Sequence, residues 1–282
     1  MLAFLRVVEV FPPLFPARTP KGETLRIGEE VERFVGEAQR ISKVADVVLV
    51  ADLKSTRFLK FSTVEAALIL KKRLELDAAP VIVLRDVNRQ KFLSSVMTGI
   101  SLGLKSMMIV WGDRYPAGAQ SSNVRDFPGL AAALREASLL REKAHSPARF
   151  FAPVDLRRLS RPDGVALAKA RLRAGADCLL AQPPTTDAGP TFERHIELLD
   201  AAGLADSALL NVFPFRDRKD VKECERYFGW RLPRRLHITA NEGAEALFEA
   251  EKEVVQRLRQ DGLPGVYLNA RGAPAIVEKL LG

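Results

Sequence analysis

Short apolar runs alternate with longer amphipathic segments along the whole chain, and this alternation constrains the fold more than any other feature. Eight runs have the length and the nearly continuous apolar character of parallel strands that are buried on both faces. They cover residues 5–11, 46–51, 80–84, 106–111, 149–154, 177–181, 208–213 and 265–268. The segments between them have the apolar period of a helix, which the first shows at Ile27, Val31 and Phe34.

Eight strand–helix pairs in one chain of 282 residues are typical of a (β/α)8 barrel. We therefore predict an α/β protein, a single (β/α)8 TIM barrel over residues 1–282, with an extra helix around residues 240–260 before the last strand. A doubly wound sheet is the alternative, but it usually carries a glycine-rich turn after its first strand. Here the first strand runs into Phe11-Pro12-Pro13, and neither GxGxxG nor a P-loop sequence follows.

The composition argues against a membrane protein, a secreted protein and a metal centre. The longest uncharged apolar runs are strand-sized, whereas a membrane-spanning helix needs about 20 apolar residues, so we expect no membrane segment. Arg6 and Glu9 interrupt the apolar start before a signal-peptide core is complete, and we expect a cytoplasmic protein. The two cysteines form no CxxC motif and the three histidines form no HxxxH or HExxH motif.

The chain carries a net charge of +8, which raises the question of an anionic partner. Its basic residues are interspersed with acidic ones, and no strand has the aromatic pattern of an RNA-binding surface. We therefore expect no nucleic-acid partner and favour attraction for an anionic small molecule.

Polar residues stand at the ends of the predicted strands, where the active site of a TIM barrel lies. They are Glu9, Asp52, Asp86, Asp113, Asp155, Gln182, Asn211 and Asn269. For Asp52, Asp86 and Asp155, capping of a helix or a turn is the commoner explanation. Arg157, Arg158 and Arg161, and also Arg216, Arg218 and Lys219, follow two of these strands. These basic residues either bind the phosphates or carboxylates of an anionic ligand or lie in solvated loops.

Glu9 differs from the other acidic residues because strand alternation turns it inward together with Val7. A carboxyl group inside a barrel has its pKa raised by burial, as a general acid near neutral pH requires. Gln182 ends a buried strand and suits a polar heterocycle through paired donor and acceptor contacts. Since no Ser/His/Asp arrangement is apparent, we expect a bound cofactor to supply the chemistry.

Four segments together resemble the methylenetetrahydrofolate reductase family of flavin-dependent TIM-barrel enzymes. Residues 8–13 read Val-Glu-Val-Phe-Pro-Pro, and residues 100–113 end in Trp-Gly-Asp where the family has Arg-Gly-Asp. Residues 169–182 contain Ala-Gly-Ala-Asp and end in Ala-Gln, and residues 265–269 end in Leu-Asn. The resemblance implies that 5,10-methylenetetrahydrofolate, or a related methylene-pterin, is reduced to the 5-methyl form by hydride from reduced flavin. This is a step of one-carbon metabolism and methionine biosynthesis.

The resemblance also implies roles for single residues. Glu9 corresponds to the acid that protonates the folate nitrogen as the five-membered ring opens. Asp113 corresponds to the catalytic Asp that contacts both flavin and pterin, and Gln182 to the Gln that contacts the pterin. Phe213 is assigned to stacking on the substrate ring, with core packing as the alternative. The residues assigned to FAD are Asp113, Trp111, Asp52, Arg171 and Asp155, and NADH or NADPH is the implied electron donor.

Several flavin-side residues of the family are replaced in this chain. Asp52 follows the second strand where the family has Thr-Tyr, Pro80 stands near the family's His, and Trp111 replaces the Arg of Arg-Gly-Asp. The family's Pro-x-x-His-Pro-Glu loop is replaced by residues 154–158. The alternatives are a flavin that is held differently, direct hydride transfer from a nicotinamide, an electron-donating partner subunit, and a non-catalytic binding protein of the same fold. Association into a homo-oligomer also stays open.

Overall fold

The computed structural model describes residues 4–16, 26–52, 58–85, 87–112, 126–229, 231–270 and 273–282. Its strands are β1 (Leu5–Val10), β2 (Leu14–Pro16), β3 (Val47–Val50), β4 (Phe58–Lys60), β5 (Ala78–Val83), β6 (Ser106–Val110), β7 (Arg149–Asp155), β8 (Cys178–Gln182), β9 (Ala208–Val212) and β10 (Gly265–Asn269). Its helices are α1 (Ile27–Ile41), α2 (Thr63–Leu74), α3 (Arg89–Ser101), α4 (Leu130–Lys143), α5 (Pro162–Arg173), α6 (Pro190–Ala202), α7 (Arg218–Phe228), α8 (Arg234–Glu242), α9 (Ala244–Gln260) and α10 (Pro274–Leu281).

Eight parallel strands close into a barrel in the order β1-β10-β9-β8-β7-β6-β5-β3. Closure is completed by β10, which pairs with β1 from Leu5↔Gly265 to Glu9↔Asn269. Helices surround the barrel, so the predicted TIM-barrel fold is confirmed. Each barrel strand coincides with one of the eight predicted runs to within two residues at either end.

Strands β2 and β4 form a separate two-stranded antiparallel sheet that the sequence pattern does not predict. The first follows β1 and the second precedes α2, so the small sheet belongs to the connections at the carboxyl end of the barrel. Phe58 and Leu59 of β4 are exposed. A run of three residues without buried alternation gives no strand signal, which explains why the sequence does not reveal it.

The barrel strands are packed on both faces, as their continuous apolar character predicts. Their outward side chains join the helices in the main core, which includes Val8, Val10, Phe34 and Phe150. Their inward side chains fill the barrel interior, which contains Val7, Val47, Leu49, Ala79, Val81, Met108, Phe151, Leu180, Leu209 and Tyr267. Because alternate residues share a face, the next inward positions along each strand form the carboxyl-end mouth.

The segment of the predicted extra helix, residues 240–260, carries the end of α8 and all of α9. Gly243 separates the two helices with a φ of 120°, a backbone conformation that side-chain-bearing residues rarely adopt. Within the described ranges, no helix is long and apolar enough to cross a membrane.

Candidate active site

A continuous row of polar side chains lines one side of the barrel mouth. Asp155 of β7 is in register with Gln182 of β8, and Asn211 of β9 is in register with Tyr267 of β10. The two pairs are joined because Leu180 and Leu209 are in register, which puts Gln182 beside Asn211 two residues further along. Four neighbouring strands therefore present their polar residues at one level.

Glu9 lies beside this row and is held by two donors from the last barrel strand. The Tyr267 hydroxyl donates a hydrogen bond to Glu9 Oε2, and Asn269 Nδ2 donates one to Glu9 Oε1 over 2.5 Å. The Tyr267 side chain belongs to the barrel interior and Asn269 is 8% exposed. Glu9 thus points into the barrel, as its alternation with Val7 predicts.

Burial raises the pKa of Glu9 to about 7, and the hydrogen bond from Tyr267 opposes part of this rise. A carboxyl group with such a pKa carries its proton in a large fraction of molecules at neutral pH and can transfer it in a reaction. Burial also raises the pKa of Tyr267 well above its usual range, so its phenol stays neutral and donates to Glu9. The arrangement is that of one proton donor and one positioning hydroxyl.

The opposite side of the mouth is apolar. It is formed by Leu49 of β3, Val83 of β5 and Val110 of β6, which all pack in or against the barrel interior. Trp111, which follows β6, is 38% exposed. A barrel mouth with a polar side and an apolar side matches a flat heterocycle whose polar groups lie along one edge.

Three residues assigned to a cofactor are engaged with other parts of the chain. Asp52 forms an ion pair with Lys60 of β4. Asp155 accepts hydrogen bonds from the backbone N–H and the guanidinium of Arg157, and it caps the short 3-10 turn after β7. Arg171 donates to the carbonyl oxygen of Pro153. Their roles toward a flavin stay predictions, and Asp86 and Asp113 lie outside the described residues.

Phe213 packs in a small apolar cluster beside the barrel. Its ring is 3% exposed and lies 5.1 Å from the ring of Phe215 and 6.1 Å from that of Phe228, centroid to centroid. Val221 of α7 and Leu247 of α9 belong to the same cluster. The geometry agrees with core packing, and stacking on a substrate stays a prediction.

The basic residues after β7 and β9 are largely neutralised within the chain. Arg157 pairs with Asp155 and Arg158 with Asp163, in each case with a nitrogen–oxygen distance near 2.8–2.9 Å. Arg216 pairs with the buried Asp220 over 3.4 Å. These ion pairs favour the interpretation of the two clusters as self-paired loops over that of phosphate sites.

The loop after β8 is fixed by an internal network. The backbone N–H of Thr185 donates to the carbonyl oxygen of Asn211 over 2.7 Å, and the Thr185 hydroxyl lies 2.9 Å from His195 Nδ1. Burial lowers the pKa of His195 to about 4, so this histidine stays neutral. Asp187 accepts hydrogen bonds from the backbone of Gly189 and Thr191. The network ties the end of β8, which carries Gln182, to β9.

Tyr267 is not among the site residues that the sequence predicts, although it contacts Glu9. Its inward direction follows from its spacing of two residues from Asn269, but its contact with Glu9 joins residues that are 258 positions apart. Nothing in a single sequence gives the register of β10 on β1. Among the described residues, no group of three or more His, Cys, Asp or Glu could hold a metal ion.

Neither a protein-family model nor a curated protein sequence matches this chain. A structure of a protein from Clostridium thermocellum that binds two copies of 5-methyl-5,6,7,8-tetrahydrofolic acid is similar, with a TM-score of 0.64, 12% identity and coverage of 98% of this chain and 95% of that one. Oxaloacetate acetylhydrolase has a TM-score of 0.56 at 11% identity, covering 96% of this chain and 77% of its own. An F420-dependent secondary alcohol dehydrogenase has a TM-score of 0.51 at 12% identity, covering 98% of both chains. At these identities the likeness shows the shared barrel fold.

Proposed function

We propose that this protein is a methylenetetrahydrofolate reductase-like oxidoreductase that reduces 5,10-methylenetetrahydrofolate, or a related methylene-pterin, to its 5-methyl form. The observation that carries the proposal is Glu9, a half-buried carboxyl group held by Tyr267 and Asn269 in the mouth of the barrel, whose pKa is raised to about 7. The similar barrel that binds 5-methyltetrahydrofolic acid supports the substrate class, and the similar F420-dependent dehydrogenase supports hydride chemistry on this fold.

The reaction requires one hydride and one proton. The proton of Glu9 goes to the ring nitrogen that leaves the methylene carbon, the bond between this nitrogen and carbon breaks, and the hydride forms the new C–H bond. Tyr267 and Asn269 hold the two carboxyl oxygens of Glu9, so the acid is positioned before the substrate arrives. Gln182, on the polar side of the mouth, is the proposed contact to the pterin edge.

Three of the residues assigned to FAD, Arg171, Asp155 and Asp52, do not fit the phosphates of a dinucleotide. Arg171 is bound to the Pro153 carbonyl, Asp155 carries a negative charge and is paired with Arg157, and Asp52 is paired with Lys60. The steps that we assign to this chain therefore involve no flavin. A nicotinamide that delivers hydride directly is the simplest donor for the mouth, and a partner subunit is the alternative.

The test is turnover of 5,10-methylenetetrahydrofolate with NADH, NADPH or reduced FAD as the donor, compared between the wild type and Glu9→Gln. We expect Glu9→Gln to lower turnover by about 100-fold or more, since it removes the proton donor, and to leave affinity for 5-methyltetrahydrofolate within a few-fold. Glu251→Gln is the matched control because Glu251 is a buried carboxyl bound to the Phe215 backbone, outside the mouth. We expect this control to turn over like the wild type.

The same assay separates the proposal from a non-catalytic binding protein or a partner-dependent subunit. Equal turnover by Glu9→Gln and the wild type would reject Glu9 as the acid. Tight binding of 5-methyltetrahydrofolate without turnover by any donor would favour the binding protein, for which the poor fit to FAD phosphates is the supporting observation.

A further inference from the structure

Asn211 is a buried polar residue whose side chain makes no hydrogen bond within the described part of the chain. It is 2% exposed, and its Oδ1 atom lies fully buried without a partner. The Asn211 backbone is engaged, since its carbonyl oxygen accepts a hydrogen bond from Thr185 N–H and its strand pairs with β10. Buried amides are hydrogen-bonded in nearly all proteins, and an unpaired one is destabilising. The Asn211 carboxamide therefore has unused hydrogen-bonding capacity that a ligand could satisfy.

The strand pattern aims this carboxamide into the mouth of the barrel. Leu209, two residues earlier, lies in the barrel interior, whereas Leu210 and Val212 belong to the core on the helix side. Tyr267 stands in register with Asn211 on the next strand. Leu209 is completely buried, so Asn211 is the next inward residue of β9 above the filled interior, on the side of the carboxyl end.

Gln182 presents a second carboxamide beside the first. It stands next to Asn211 by continuation of the Leu180↔Leu209 register and is half-buried. No residue of the described ranges hydrogen-bonds its side chain either. Adjacent strands in a sheet are about 4.8 Å apart, so the two carboxamides together span the edge of one ring.

We infer that Asn211 is a specificity-determining residue that binds the lactam edge of a heterocycle, a ring N–H beside a ring C=O. A carboxamide is both a donor and an acceptor, so it pairs with such an edge through two hydrogen bonds. The pterin ring of a folate carries this edge. The inference rests on the proposed function for its substrate class, and it adds the orientation: the lactam edge faces β8 and β9, while the reacting nitrogen faces Glu9 on β1.

Asn211→Leu tests this assignment because leucine has nearly the same shape and no polar atoms. Without ligand, we expect the variant to melt about 2–4 °C above the wild type, since an unpaired buried amide is removed. With ligand, we expect Kd for tetrahydrofolate, measured by titration calorimetry, to rise about 10- to 100-fold. Asn211→Asp, which keeps the acceptor and loses the donor, should also weaken binding.

Asn269→Leu is the matched control for the melting experiment. Asn269 donates to Glu9, so its replacement breaks an existing hydrogen bond and should lower the melting temperature. If Asn211→Leu also lowers it, Asn211 is a structural residue and the inference is wrong.

Riboflavin, whose ring carries a comparable N–H and C=O edge, separates this inference from the proposed function. If the wild type binds riboflavin but not tetrahydrofolate, and Asn211→Leu weakens that binding, the inference holds and the proposed substrate is wrong. If neither compound binds, or if Asn211→Leu leaves both affinities unchanged, the inference is overturned.

Discussion

The pKa of Glu9 is set by burial and by one hydroxyl group. Removal from water disfavours the charged form, and the hydrogen bond from Tyr267 favours it, so the pKa settles near 7. Either effect alone would make a poorer acid at neutral pH, since one leaves the proton too tightly held and the other leaves the group ionised. Burial therefore sets the direction of the pKa shift, and the neighbour on β10 limits its size.

Tyr267→Phe should raise the pKa of Glu9 above 7, because the substitution removes the hydrogen bond that lowers it. The measurement is a ¹³C NMR titration of glutamate carboxyl groups, with the Glu9 signal identified by its loss in Glu9→Gln. The carboxyl of Glu251 provides an internal control, because its hydrogen bond comes from the Phe215 backbone rather than from Tyr267. A Glu9 titration that stays in place or moves to lower pH would show that Tyr267 does not control this acid.

The sequence predicts the direction in which a strand side chain points, but it does not predict which residues that side chain contacts. The inward direction of Glu9 follows from two-residue alternation alone, and so does the polar character of the strand ends at Gln182 and Asn211. The Glu9–Tyr267 contact needs the register across the closing strand pair. The unpaired state of the Asn211 carboxamide depends on everything around it. Local pattern contains none of this information.

At the scale of the elements, the barrel strands can be predicted from the sequence because they are buried along their length. Strand β3, for example, is buried at all of its positions, and such a run is apolar at every residue. Short and exposed elements have no such signature, which is why β2 and β4 are missed. The division of the 240–260 segment at Gly243 depends on one backbone conformation that a helical period does not reveal.

A pair of glycine substitutions tests whether the approach of β10 to β1 limits the stability of the barrel. A Cβ at Gly265 would lie 2.0 Å from the Leu5 carbonyl oxygen, so Gly265→Ala must push the closing strands apart. We expect it to lower the free energy of unfolding by about 3 kcal/mol or more, in the range of severe backbone effects. Urea unfolding followed by circular dichroism measures the change.

Gly36→Ala is the matched control in the exposed face of α1, where a Cβ would meet nothing within 4 Å. Alanine is the better helix former, and we expect an increase of about 0.5–1 kcal/mol in the free energy of unfolding. Equal effects of the two substitutions would show that the closing strand pair tolerates a side chain at this position.

At the scale of the whole molecule, closure of the barrel collects groups that are distant in sequence into one mouth. The polar residues come from five neighbouring strands, β7 to β10 and β1, and the apolar residues come from β3, β5 and β6. This division follows from strand order, because the two groups of strands occupy opposite halves of the barrel. A ligand with one polar edge has a single favourable orientation in such a mouth.

The half-buried acid Glu9 makes the stability of the entire barrel depend on pH. The pKa of Glu9 is about 7 in the folded protein against 4.5 for the ordinary group, so between these pH values the folded state holds a proton that the unfolded state has lost. The stabilising contribution is therefore complete below pH 4.5 and is lost as the pH rises to about 7. The loss amounts to about 3 kcal/mol.

Glu9→Gln removes this dependence because glutamine cannot ionise. We expect urea unfolding between pH 5 and pH 8 to show that the free energy of unfolding falls more steeply in the wild type than in the variant, by about 2–3 kcal/mol over this range. Glu251, whose pKa is also raised by burial, contributes equally to both proteins and cancels in the difference. Parallel curves would mean that Glu9 titrates alike in the folded and unfolded chains, and the barrel mouth would then lack the neutral-pH proton donor on which the proposed reduction depends.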